Sequence, residues 1–122
     1  MFKAIIPDYE EKNTPKTLPS ILVKRHASAK AVSCLFKIKK GMIIGADTLV
    51  YCENKIIGKP KSRREAFKIL SFLQGRWHTV YTGVAILNIR NSRIFKEKIF
   101  TEKTHIRLKV MDHQAIKKYL HR

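Results

Sequence analysis

This sequence predicts a single α/β domain over residues 1–122, a mixed sheet flanked by helices, on three observations. Apolar residues recur at helical spacing from Leu22 to Leu35 and again from Ala66 to Leu73. Three longer runs, 42–51, 79–89 and 94–110, have the apolar, β-branched and aromatic content of strands. Asn, Gly and Pro residues punctuate the boundaries between them.

Taken in order, Phe2 to Ile6 reads as a short strand, followed by a polar loop containing Pro7, Asp8, Glu10, Asn13, Pro15 and Pro19. From Ser20, the positions Leu22, Val23, His26, Ala27, Ala31, Cys34 and Leu35 form one stripe of an amphipathic helix. Gly41 opens a strand from Met42 to Tyr51, whose start Met42-Ile43-Ile44 suits burial on both faces. Glu53-Asn54-Lys55 then turns the chain into a short return strand at Ile56-Ile57.

Ser62-Arg63-Arg64-Glu65 has the capping-box pattern, and Ala66, Ile69, Leu70 and Leu73 supply the buried stripe of the helix it starts. Gly75 is placed to end that helix. Thr79 to Ile89 forms a strongly apolar strand, Asn91-Ser92 a turn, and Ile94 to Val110 a last long strand. There Phe100, Thr104, Ile106, Leu108 and Val110 are expected on the core face, with Thr101, Lys103, His105, Arg107 and Lys109 facing water. Asp112 can cap a final helix carrying Ile116, Tyr119 and Leu120. The expected order is β-α-β-β-α-β-β-α, without repeats or linkers.

Composition narrows the function. Lys and Arg number 26 against 9 Asp and Glu, a formal net charge of +17, so the natural partners are polyanions: nucleotides, nucleic acid or anionic lipid. A hydrophobic share of 44% excludes a disordered basic tail. Cys34 and Cys52 are not spaced as a zinc site or disulfide framework and read as reduced thiols. No run approaches a membrane span, and the apolar start is cut short by Pro7-Asp8, so a cytoplasmic location without membrane attachment is expected.

The chemistry-bearing candidates are few. Asp47 ends the apolar run Ile43-Ile44-Gly45-Ala46, where a carboxylate is costly unless it binds a cation, takes a proton or accepts backbone N–H bonds. Function and structure are both open for it. Hydrolysis of a phosphoanhydride needs carboxylates for a divalent cation, a base for water and cations for the remaining phosphate charge, which Glu10, Asp47, Lys30 and Lys59 could supply if brought together. Taken alone, Glu10 reads as a solvated loop residue and Lys30 as one of many surface cations. Lys59 lies between Gly58 and Pro60, which favours a positioned cation. Thr48 needs no special explanation in a strand, and Trp77 with His78 reads as rim and core at a strand entrance.

Four ordered segments nevertheless resemble the Maf family of nucleoside triphosphate pyrophosphatases: Ile44-Gly45-Ala46-Asp47-Thr48, Ile57-Gly58-Lys59-Pro60, the Glu65-Ala66 helix start, and Gly75 to Val84. Arg25 to Ala31 is similar to the family's Arg-Leu-Ala-x-x-Lys-Ala pattern, and weaker likeness covers Phe2 to Glu10, Thr101 to Thr104 and Ile116 to Leu120. The resemblance implies a Maf/ITPase-like fold and a metal-dependent hydrolase that cleaves between the α and β phosphates of a nucleoside triphosphate. By this resemblance Asp47 is the catalytic aspartate and a metal partner, and Glu10 helps hold Mg²⁺ or Mn²⁺. Lys30 and Lys59 face the phosphates, and Thr48 bears on substrate choice, marking the branch that acts on dTTP and UTP.

The family pattern also includes a Ser-x-x-Arg-Arg loop ahead of the matched region and a Gly-Ala-Tyr and Gln motif beyond it, neither of which is in this sequence. The expectation is therefore an incomplete Maf-like domain, truncated at both ends. Such a domain would leave a sheet edge and the faces of Ile43, Val84 and Ile86 or their neighbours uncovered, which favours a homodimer or aggregation. A catalytically impaired remnant and a basic nucleic-acid-binding module are the alternatives, although no aromatic-interleaved or helix-turn-helix pattern supports the second.

Overall fold

The computed structural model describes residues 4–5, 17–110 and 113–120. Helix α1 (Pro19–Ser33) leads through a 3₁₀ turn (Leu35–Lys37) into β1 (Gly41–Cys52) and β2 (Lys55–Ile57). Helix α2 (Arg63–Leu73), β3 (Trp77–Arg90), β4 (Arg93–Arg107) and α3 (His113–Leu120) follow. Ala4 and Ile5 have no regular structure, and the rest of the expected first strand, the polar loop with Glu10, and the Asp112 cap lie outside the described residues.

The strands form one sheet in the order β2-β1-β3-β4. It is antiparallel where a mixed sheet was expected; the parallel element is an isolated bridge between Gln74 and Leu108. Two tight turns set the hairpins. Glu53 and Asn54 adopt φ of 48° and 64°, and Asn91 and Ser92 adopt 52° and 61°, the left-handed pairs that match the twist of antiparallel strands. The first turn fixes the register Val50↔Ile57, Tyr51↔Ile56, Cys52↔Lys55.

The chain forms two compact units, and the three long strands each pass from one into the other. In the first, Met1–Thr48 with Tyr81–Glu102, α1 covers one face of the sheet. Ala27, Ala31 and Cys34 pack against Ile43, Ala85, Leu87 and Ile89 as its core. Two strand glycines allow this close approach. A Cβ on Gly45 would collide with the Ala27 carbonyl oxygen, and one on Gly83 with the Val23 carbonyl.

That packing corrects two expectations. Burial in β1 alternates, so Ile43 is buried while Met42 and Ile44 are 57% and 58% exposed. Among the described residues, the covered face of this part of the strand is the one α1 occupies. In β4 Ile94 and Ile99 pack against the core, so the inner side changes parity between them, and beyond Ile99 Thr101 Oγ1 donates to the Ser20 carbonyl at 3.1 Å. Farther along, the expected core residues Thr104, Ile106 and Val110 are exposed. A strand at the end of the sheet order has a neighbour on one side and little over its faces, so alternation alone did not identify the buried side.

In the second unit, Leu49–Val80 with Lys103–Arg122, α2 packs on α3, and Leu73 and Ile116 are buried. The Ser62 Oγ accepts the Glu65 N–H at 3.1 Å as the capping box requires, while the Glu65 carboxylate takes the Lys61 N–H at 2.9 Å, one residue earlier than the pattern's usual partner. Gly75, at φ 68°, ends the α2 segment and donates its N–H to Leu108 O at 2.8 Å. Cys34 and Cys52 are free and buried. No described helix is long and apolar enough to cross a membrane.

Candidate functional site

The site follows from the packing of α1 on β1. Gly45 and Asp47 share the face of β1 that alternation turns toward α1. Because Gly45 seats the helix at Ala27 and Ala31, Lys30 is carried to the strand two residues farther on. Its Nζ donates to Asp47 Oδ1 at 2.9 Å. Lys30 belongs to the last turn of α1, where a cation also meets the negative end of the helix dipole.

Asp47 is buried, with its side chain only 3% exposed. Its second oxygen, Oδ2, is buried without a hydrogen-bond partner among the described residues. Leaving such an atom unsatisfied costs on the order of 1–3 kcal/mol, more for a charged group. A purely structural carboxylate in this position would be expected to accept backbone N–H groups, and Oδ2 does not. An acceptor held on one side by a lysine and lacking a donor on the other is suited to a cation or to the proton of a water.

This arrangement fits a divalent cation as far as Asp47 is concerned. Mg²⁺ commonly takes one or two carboxylates and completes its shell with water and substrate phosphate, so it does not require a protein cage. No cluster of three or more His, Cys, Asp or Glu side chains occurs among the described residues, and Glu10 lies outside them.

Thr48 points to the other face of β1 from Asp47, as neighbouring strand residues must, and is exposed. Its hydroxyl lies 3.4 Å from that of Thr82 on β3. Lys30 and Asp47 are thus brought together on one face, and Thr48 is paired with Thr82 on the other. Lys59 belongs to the second unit, in an exposed segment after β2, where a Cβ on Gly58 would meet nothing within 4 Å. Gly58 is therefore not demanded there by packing. In the same unit His78 is buried and Trp77 is exposed, the core and rim that their position suggested.

Sequence reading missed Gly45 and Gly83 as the residues that seat α1, and missed Thr82. The signal was present: a glycine inside an otherwise apolar strand marks a close backbone approach.

The chain belongs to the Maf family, whose sequence model, described as Maf-like protein, matches residues 1–122. It is 45% identical over 91 residues to the dTTP/UTP pyrophosphatase of Elusimicrobium minutum, covering 75% of this chain and 50% of that protein. It is 41% identical over 121 residues to the dTTP/UTP pyrophosphatase of Thermosipho melanesiensis, covering 98% of this chain and 60% of that one. The corresponding protein of a Thermoanaerobacter species is 40% identical over 120 residues, with 98% and 61% covered. The chain thus spans between half and about three-fifths of the length of these relatives.

Proposed function

We propose that residues 1–122 form one Maf-like domain carrying the working carboxylate of a nucleoside triphosphate pyrophosphatase, with dTTP and UTP as substrates. The observation that supports this most strongly is the buried Asp47, held at Oδ1 by Lys30 and left without a donor at Oδ2. The reaction class and the pyrimidine preference are supported by relatives named dTTP/UTP pyrophosphatase.

In this reading a water oxygen attacks the α phosphorus, and the bond from that phosphorus to the oxygen bridging α and β breaks. Nucleoside monophosphate and pyrophosphate leave. Asp47 takes the proton of the attacking water at Oδ2, as a positioned general base. Lys30 fixes the carboxylate's orientation and balances its charge. Asp47 and Glu10 would hold Mg²⁺ or Mn²⁺, which when bound neutralises polyphosphate charge and acidifies water. Lys59 adds phosphate-facing charge, and Thr48, oriented by Thr82, contributes to base selection.

Purified chain is incubated with dTTP, UTP, ATP and GTP with and without Mg²⁺, and released pyrophosphate is measured. Metal-dependent release that is faster from the pyrimidine nucleotides is the expected result. Absence of release from every nucleotide would favour an impaired remnant. If DNA then binds with steep salt dependence, the net charge of +17 serves a nucleic-acid-binding module instead.

A further inference from the structure

Helix α2 buries less of its apolar stripe than its spacing implies: Leu73 is buried, whereas Ile69 and Phe72 are half-buried. Those two side chains line a groove of about 230 Å³ between α2 and β2, together with Lys55, Ile57 and Lys68. The groove lies wholly in the second unit, whereas Lys30 and Asp47 belong to the first.

Its lining divides by chemistry. Ile57, Ile69 and Phe72 supply an apolar surface, and the charged groups are the ammonium heads of Lys55 and Lys68, with no carboxylate among them. Lys55 Nζ lies 5.8 Å from the centre of the Phe72 ring, and the Arg76 guanidinium carbon 4.4 Å from it, so the ring already attracts cations. Arg76 pairs with Glu53 at 3.5 Å, but neither Lys55 nor Lys68 makes an ion pair among the described residues.

An apolar surface bordered by unpaired cations is complementary to a ligand with an apolar body and an anionic end. The volume suits one planar ring system, since sites that enclose a whole drug-sized ligand run to roughly 300–1,000 Å³. A ring laid against Phe72 gains stacking, and two ammonium groups match a phosphate monoester, which approaches two negative charges at neutral pH. We infer that this groove binds a nucleoside monophosphate, with its base on Ile57, Ile69 and Phe72 and its phosphate on Lys55 and Lys68. None of the three apolar side chains carries a hydrogen-bonding group, so the site does not read base edges and takes uracil and cytosine alike. Binding there requires neither Asp47 nor a metal, so the inference stands apart from the reaction proposed above.

The test is isothermal titration calorimetry of the full chain without metal, using uridine monophosphate, cytidine monophosphate, uridine and ribose 5-phosphate as probes. Lys55→Glu and Lys68→Glu are compared with Lys96→Glu, the same charge change on β4, and circular dichroism checks that each variant is folded. The two monophosphates are expected to bind within about twofold of each other. Uridine and ribose 5-phosphate, each lacking half of the match, should bind about tenfold more weakly or worse. Lys55→Glu and Lys68→Glu should each weaken uridine monophosphate about tenfold, and Lys96→Glu by less than about twofold. A folded wild type that does not bind uridine monophosphate overturns the proposal, as does either half-ligand binding as tightly as the whole. Equal losses in all three variants would reduce the effect to the net charge of +17, and no loss in the two groove variants would place the nucleotide elsewhere. Either result overturns it too.

Discussion

At the residue scale Asp47 is asymmetric, one oxygen paired with Lys30 and the other buried without a donor among the described residues. Asp47→Asn preserves shape while removing both the charge and the base. In the proposed reaction it should lower pyrophosphate release by about 10²–10⁴-fold, the usual contribution of a positioned general base. The same variant loses the ion pair with Lys30 but also removes the charge from the oxygen that lacks a donor, so its melting temperature should change little; a large fall would mark Asp47 as a structural carboxylate. Lys30→Met should lower the melting temperature because it leaves a buried carboxylate without its cation.

Cys52 offers a separate check on residue environment. Burial pushes its thiol above the ordinary value, with Glu53 adding to the rise and Arg76 opposing it. Because the folded value is the higher one, its contribution to stability is complete below the unfolded thiol value and is lost as pH rises through the folded value. Melting temperature measured from neutral to alkaline pH should therefore fall more steeply in wild type than in Cys52→Ala. Equal slopes would contradict the burial of that sulfur.

At the scale of elements, Gly45 and Gly83 do for the site what no charged residue does: they let α1 settle onto β1 and β3 so that Lys30 reaches Asp47. Gly83→Ala introduces a Cβ against backbone, which cannot move aside as a side-chain tip could. A loss of about 1–3 kcal/mol in denaturant unfolding is expected, the usual range for overpacking. Unchanged stability would show that α1 does not rest on that glycine. Ser62→Ala, which removes only the α2 cap, should cost about 1 kcal/mol and leave the Asp47 site untouched.

The elements also show why some of the fold was legible and some was not. Capping at Ser62, the turns at Glu53-Asn54 and Asn91-Ser92, and the stripe of α1 are local events, decided by a few adjacent residues. The covered face of β1 and the direction of β4 are tertiary events. Period two says that Phe100 and Thr101 face opposite ways, but it is α1 that makes the Thr101 side the inner one. The Asp47 motif was readable from its segment, whereas its pairing with Lys30 depended on a helix seated by glycines distant in sequence.

At the scale of the whole molecule, a net charge of +17 on 122 residues works against compactness while favouring polyanionic ligands. Raising ionic strength should raise the melting temperature by screening that repulsion, and inorganic triphosphate should raise it further at equal ionic strength if it binds the folded chain. Identical curves in triphosphate and in ionic-strength-matched chloride would argue against a phosphate-binding site. This readout needs no turnover, which suits a chain spanning about 60% of the Thermosipho melanesiensis pyrophosphatase.

The most direct test of the central claim is pyrophosphate release from dTTP by purified wild type and Asp47→Asn chains, measured side by side with Mg²⁺ present. The expected result is release by the wild type and its near-complete loss in Asp47→Asn, with both proteins equally folded by circular dichroism. Equal release by the two folded proteins would contradict it, because the buried carboxylate and its lysine would then stand outside the reaction.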